Sequence, residues 1–444
     1  MDNENQMMNS TAQPPAQGGL PASMRYAVGS KRSVAARMQH LNFQPFNGNS
    51  FSPDSNNEIR IQVQGPGFID VSKHLLRLTV TAVTAGTNAA KVDYSLASIF
   101  DQVRIESQGT VLERIDRYGL IDNVKSMYND SAAEVKNKSA LTLGPDINQT
   151  SIVSGGKKFG ADAGTGGSVT GGLRIRSGLL QSKHGHALPM GSAPLEIVLR
   201  LNSLDGCLLG LTGTTPGTIT SLSVSNVSLL VPMFQIESEQ IMAQYRQVLM
   251  SSPITICGTS YKTYVNSLTA SGTNQVLQIN DKSRSLKGLV TLIRAAAAPT
   301  TFILPSNSEF SVANVNRYTY MVGGAQMPPG GIALSSTNAA EAMDQAQKAL
   351  APYNEIRGYG LVGFTKFTAA VGTTGEGGKG VIAVDLRKFS DSERCFVGMD
   401  TASSAQPMTL ELECASGIGA SDVTTFAVVE AEYVLQAGRW GVSV

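Results

Sequence analysis

Charge is scarce in this chain of 444 residues: 16% of them are Asp, Glu, Lys or Arg, where about a quarter is usual for a soluble protein. A surface so poor in charge suits a protein covered by neighbours, although long neutral loops of Gly, Ser and Thr account for part of the deficit. The 35 basic and 34 acidic residues leave a formal net charge of +1. The body of the molecule therefore has no electrostatic reason to bind nucleic acid or an anionic membrane. Cys207, Cys257, Cys395 and Cys414 are scattered with no C-x-x-C pair. That argues against a zinc site or a disulfide framework and fits a reducing compartment. The longest apolar run, LVTLIRAAAA, carries Arg294 inside it and falls short of the roughly 18 residues of a membrane span. The opening MDNENQMMNS is acidic and polar with no apolar segment, so a secretory signal is not expected. The sequons at Asn9, Asn129, Asn137, Asn148 and Asn226 are then expected to stay unmodified.

Signatures of catalysis are missing as well. GTTGEGGKG at 372–380 fails as a phosphate loop, because Thr373 stands where the first glycine belongs and Gly380, not Ser or Thr, follows Lys379. GTGGSVTGG at 164–172 lacks the strand before it and the helix after it that a dinucleotide fingerprint needs. With 4 histidines in the whole chain, Ser/His or Cys/His catalysis has few candidates, and no G-x-S-x-G elbow occurs. His184 and His186 form the only histidine pair, and no third and fourth ligand stand at suitable spacing, so a polar loop is the better reading than a metal site. Asp385 and Asp400 are nominated as a carboxylate pair no more strongly than many other acids, and solvated or turn-stabilising roles are preferred. No catalytic, cofactor-binding or metal residue is expected, and no small-molecule substrate.

Short strand-like runs separated by Gly, Asn, Pro and Ser clusters make up most of the sequence, the pattern of an all-β protein. Single cores stop growing at about 250 to 300 residues, so the chain should divide. It divides by repetition. HLLRLTVTAV at 74–83 is matched by SLKGLVTLIR at 285–294, and VRIESQGTVL at 103–112 by YTYMVGGAQM at 318–327, with Gly109 and Gly324 aligned. PLEIVLRL from Pro194 is matched by PMTLELEC from Pro407, each apolar at every second position. VSNVSLLVPMFQI at 224–236 is matched by TFAVVEAEYVLQA at 425–437. A helical pattern follows the second element in both halves. In the first, Leu120, Ile121, Val124, Met127 and Tyr128 mark one face. In the second, Asn338 and Glu341 suit an N-cap and N3 pair ahead of Ala339, Met343, Ala346 and Leu350. Five pairs in one order imply two copies of one β-rich domain.

The expected division is an arm over 1–37, a first copy over 38–250 and a second over 251–444. A linking helix is expected near 237–252, where Ile241, Met242, Tyr245, Val248 and Leu249 recur on one face. Gly-rich insertions at about 142–172 and around 371–380 should be surface loops. About eight strands per 200 residues fit either a jelly roll or an immunoglobulin-like sandwich, and size favours the jelly roll. The arm holds Arg25, Lys31, Arg32 and Arg37 and, in its second half, no acid. Charge alone favours a solvated tail over an arm that touches an anionic surface.

The stretches IRSGLLQSKHGHALPMGSAPLEIVLRL (175–201), VSNVSLLVPMFQIESEQIMAQYRQVL (224–249), SRSLKGLVTLIR (283–294), YTYMVGGAQMPPGGI (318–332) and FVGMDTASSAQPMTLELEC (396–414) resemble, in this order, the double jelly-roll major capsid proteins of tailless icosahedral double-stranded DNA viruses. That group includes virophages, polinton-like viruses and large eukaryotic DNA viruses. The resemblance implies two tandem eight-stranded jelly rolls with a few short helices and a flexible N-terminal arm. It implies a homotrimeric, pseudo-hexagonal capsomer of a virion, assembled inside the host cell, with no enzymatic activity. Its partners would be its own copies, neighbouring capsomers, penton and minor capsid proteins, and an internal membrane or the genome beneath the arm. By the same analogy the 142–172 insertion faces outward, and Arg25, Lys31, Arg32 and Arg37 face inward. The alternative is a secreted or surface glycan-active hydrolase or carbohydrate-binding protein on paired jelly rolls. The single tryptophan, Trp440, and the polar N-terminus speak against it.

Overall fold

In the computed structural model the residues described are 36–444, apart from 71–72, 85–88, 145–157, 160–166, 182–186, 192–193, 212–218, 240–241, 244, 246, 248–252, 270–271, 297–306, 351–360, 371–376, 390–395, 405–406, 416–418 and 437. The first half is built on eight principal strands: β1 (Ala36–Phe43), β2 (Glu58–Val63), β3 (Leu75–Thr84), β4 (Phe100–Ser107), β5 (Thr110–Asp116), β6 (Gly167–Leu173), β7 (Leu195–Leu201) and β8 (Ile219–Ile236). The second half repeats them: β9 (Ile254–Leu268), β10 (Asn274–Ile279), β11 (Leu286–Ala295), β12 (Val315–Val322), β13 (Ala325–Ala333), β14 (Ile382–Asp385), β15 (Met408–Cys414) and β16 (Ser421–Gln436).

Pairing is antiparallel throughout these sets, and the order of strands is the same in both. One sheet of the first half runs β1-β8-β3-β6 and the other β2-β7-β4-β5. In the second half the orders are β9-β16-β11-β14 and β10-β15-β12-β13. Strands next to each other in space thus alternate between early and late in the sequence, which is the jelly-roll arrangement of two interlocked Greek keys. Alternation writes the cores. Ile59, Ile61 and Val63 of β2, Ile197 and Leu199 of β7, and Leu76, Leu78 and Val80 of β3 are buried between the first pair of sheets. Leu410 and Leu412 of β15 and Tyr318 and Tyr320 of β12 do the same in the second. The Tyr320 hydroxyl shares a 2.8 Å hydrogen bond with Thr291 Oγ1 of β11, so its polar end is not stranded in the core.

The hairpins β4–β5 and β12–β13 turn alike. Gln108 and Gly109 have φ of 49° and 81°, and Gly323 and Gly324 have 59° and 83°. Two consecutive positive φ values are what a two-residue hairpin loop needs to match the strand twist, which is why the aligned glycines recur. After β5 come α1 (Tyr118–Asn129) and α2 (Ala132–Thr142), the latter opened by a capping box between Ser131 and Glu134. After β13 comes α3 (Ala340–Leu350). The apolar face expected of α1 is buried from Leu120 to Tyr128, and α3 starts two residues beyond Asn338. Of the linking helix, Glu239, Met242, Ala243, Tyr245 and Gln247 are helical, and the Tyr245 ring meets Phe68 edge-on at 4.8 Å.

The described parts of both Gly-rich stretches depart from the expected loops, while 145–157 and 160–166 of the first lie outside the described residues. Gly167–Leu173 is a strand, β6, paired with β3 along its whole length. Its glycines make room for α2: a Cβ at Gly171 would lie 2.9 Å from the Leu141 carbonyl oxygen, and one at Gly172 2.9 Å from Leu141 Cδ1. Glycine here is a packing requirement and not a loop signal. In the second stretch 377–380 is buried and Lys379 is 0% exposed, while 371–376 lies outside the described residues.

Candidate functional site: the seam between the rolls

Three clusters of polar groups lie where the two rolls meet. β5 ends at Asp116, and Arg117, at φ 52°, turns the chain into α1. Its guanidinium reaches across to β16, where Nη1 lies 2.6 Å from Asp422 Oδ2 and 2.9 Å from Thr424 Oγ1. Arg294 of β11 pairs with the same carboxylate oxygen. Burial works against the Asp422 charge, but Arg294 and Arg117 outweigh it and hold the carboxyl below its ordinary value.

A second cluster joins the loop after β3 to the loop before β12. Asp93, 1% exposed, accepts the Asn307 amide at 2.6 Å and the Ser308 hydroxyl. Burial pushes its carboxyl up in spite of those bonds. Lys379 donates to the Ser308 carbonyl and stands 3.9 Å from Glu309 Oε1, both side chains fully buried. Burial drives the Lys379 ammonium down to about 8, against the pull of Glu309 and Asp93. From α1, Asn123 Nδ2 donates to the Asn307 carbonyl at 3.3 Å, Tyr128 Oη to the Lys379 carbonyl at 2.7 Å and Asn129 Nδ2 to the Leu350 carbonyl at 3.1 Å.

The third contact lies along β5 and β9. Glu113 is 4% exposed and accepts the Gly178 and Leu179 amides at 2.9 and 3.4 Å. Ser260 of β9 and Tyr433 of β16 reach the same carboxylate, and burial still pushes it up. Gly178 and Gly258 allow the closest backbone approach in the seam: a Cβ at Gly258 would fall 2.0 Å from the Gly178 carbonyl oxygen. Thr263 Oγ1 donates to the Asp116 carbonyl at 2.9 Å, and the Lys125 ammonium sits 5.0 Å from the centre of the Tyr261 ring.

Most of these groups are paired with one another across the plane between the rolls, an arrangement that fixes the angle between them. Asp385 is held by Arg387 at 2.8 Å, and Asp400 accepts the Ala402 amide at 2.9 Å in an exposed turn, so neither nominated acid is set up as half of a pair. The Cys207 thiol is buried and pushed up by burial. Among the described residues no cluster of three or more His, Cys, Asp or Glu fits a metal ion, and no helix is long and apolar enough to cross a membrane. His184 and His186 lie outside the described residues, as do Arg25, Lys31 and Arg32. Arg37 is exposed on β1, opposite Gln235. Sequence reasoning missed the seam residues. Lys379 stood in a stretch read as loop, and the only local signal was a lysine among glycines flanked by strand-forming residues.

Solved capsid structures share this two-roll arrangement over nearly the whole chain. PBCV-1 VP54, as fitted into a reconstruction of the virophage Sputnik, aligns with TM-score 0.61 at 11% identity, covering 94% of this chain and 99% of that one. The mavirus major capsid protein aligns with TM-score 0.58 at 10% identity over 97% and 95%. The Faustovirus major capsid protein aligns with TM-score 0.56 at 10% identity over 93% and 92%. The chain has the double jelly-roll fold. No family model matches its sequence, and no curated protein does. At these identities the likeness lies in the path of the backbone.

Proposed function

We propose that the chain is a structural major capsid protein whose homotrimers form pseudo-hexagonal capsomers and tile an icosahedral viral shell. One observation carries the reading: both rolls together, and not a single roll, align with chains described as a virus capsid or a major capsid protein, over 92 to 99% of those chains. The seam supports it physically. Two rolls held at a fixed angle give one subunit two similar corners, and a closed ring of three such subunits presents six. The chain would divide into the arm 1–37, a first roll 38–250 and a second roll 251–444. Its partners would be its own copies, adjoining capsomers, and penton and minor capsid proteins within the virion. Arg25, Lys31, Arg32 and Arg37 would face the interior, toward a membrane or genome, and the segment following α2 would face outward.

Sedimentation velocity and negative-stain imaging of the purified protein test this. A stable three-chain species with a six-cornered outline is expected. A monomer persisting at micromolar concentration overturns it. For the arm, substituting Arg25, Lys31 and Arg32 by Glu should leave the trimer intact and impair encapsidation. Shells that fill normally would remove the arm from the proposal.

A further inference from the structure

Arg117 and Arg294 converge on a single oxygen of Asp422. Both arginines also border a cavity of about 150 Å³ in the seam, and Asp422 is not part of its wall. The rest of the wall comes from both rolls: Phe100 and Asp101 at the start of β4, Gly119 in the first turn of α1, and Asn307 in the loop before β12. These surroundings are short of negative charge. Burial and the neighbouring Arg117 charge together hold the Arg294 guanidinium below its ordinary value, and the pull of Asp422 and Asp93 does not make good the difference. The start of α1 adds to the deficit, because its N-cap residue Arg117 makes no side-chain capping bond and the amides of a helix start carry partial positive charge. Among the described residues the acid in the wall is Asp101, which pairs with Arg200.

We infer that this cavity binds a single tetrahedral oxyanion of the size of phosphate or sulfate, held between Arg117 of the first roll and Arg294 of the second. Guanidinium forks match the oxygens of such an anion two at a time, which a spherical halide cannot exploit. The volume points the same way. One water takes about 30 Å³, so the space admits one oxyanion with a little solvent. Pockets for larger organic ligands begin near about 300 Å³, so a nucleotide is excluded. The bound anion bridges the rolls and supplies negative charge that Asp422 alone does not. It acts on the same angle that the pairing of Arg117 with Asp422 fixes. It needs no second copy of the chain, so it stands apart from the trimeric reading above.

Isothermal titration calorimetry of the full chain with sodium phosphate at neutral pH tests this, with sodium chloride at matched ionic strength as the comparison. Saturable binding of one phosphate per chain is expected, and none of chloride. Arg117→Gln removes charged hydrogen bonds to the anion and should weaken phosphate binding about tenfold. Asp101→Asn removes a like charge from the wall and should tighten it about threefold. Adenosine monophosphate carries the same group on a body too large for the space and should not bind. Equal responses to phosphate and chloride would reduce the effect to screening and overturn the site. Adenosine monophosphate binding as tightly as phosphate, or affinities that neither substitution changes, would put the anion elsewhere and overturn it too. The parent titration and Asp101→Asn decide the matter even if Arg117→Gln does not fold.

Discussion

Arg117 Nη1 and Asp422 Oδ2 lie 2.6 Å apart although 305 positions separate them in the chain. The pair stands at the hinge of the architecture, because Arg117 begins α1 in the first roll and Asp422 begins the long strand β16 in the second. Arg294 shares the same carboxylate with its own side chain almost fully buried. Loss of the acid therefore removes a partner shared by two cations, one of them almost fully buried.

Asp422→Asn is expected to lower stability by about 3 kcal/mol, the usual cost of breaking a buried ion pair from one side. Arg117→Ala leaves the Arg294 pair intact and should cost about 1 kcal/mol. Urea denaturation at neutral pH measures both. The folded Asp422 carboxyl sits below its ordinary 3.8, so its contribution is complete above that pH and disappears as the solution is acidified through the folded value.

Gly258→Ala places a methyl group 2.0 Å from the Gly178 carbonyl oxygen, with backbone on both sides and no flexible side chain to yield. About 3 kcal/mol or more of destabilisation is expected. Gly419→Ala, where a Cβ meets nothing within 4 Å, serves as the control and should melt within a degree or two of the parent in differential scanning fluorimetry.

Glu113 keeps its proton to a higher pH in the folded chain than in the unfolded one, because burial outweighs the bonds from Ser260 and the Gly178 and Leu179 amides. The native state then binds the extra proton above 4.5, and stability falls as pH rises from there through the folded value. Glu113→Gln, neutral at every pH, should flatten that part of the profile of urea midpoint against pH. An unchanged slope would show that Glu113 is ionised in the seam.

Lys379 has the opposite dependence. Its folded value of about 8 lies below the ordinary 10.5, so the native state gives up a proton that the unfolded chain retains. Stability should rise between those two values, by up to roughly 3 kcal/mol. The difference in urea midpoint between the parent and Lys379→Met, followed from pH 7 to 10, isolates this contribution.

The strands with clean alternation were legible in the sequence, among them β7 against β15 and β8 against β16, because a half-buried strand repeats its apolar side every second residue whatever it packs against. So were α1, from Leu120 to Tyr128, and the hairpin glycines Gly109 and Gly324. β6 was not, since its glycines at 171 and 172 answer to α2 crossing above them, a fact of tertiary packing that no local window contains. The seam was invisible for a related reason. Asp93 and Ser308 are 215 positions apart, and Lys379 and Tyr128 are 251 apart. Each polar residue resembled a solvated loop residue until its partner was in place. β1 was equally hard to recognise: most of its side chains are exposed, and ARMQHLNF carries little of the alternation that marked the other strands.

Joining both rolls in one polypeptide changes the order of the assembly reaction. In the proposed six-cornered ring, half of the contacts would form without any collision between molecules, at an effective concentration set by the linker and not by dilution. The two kinds of roll are also made in equal number by translation itself. A ring of three such units would need two encounters where six separate rolls would need five, and could not run short of either corner.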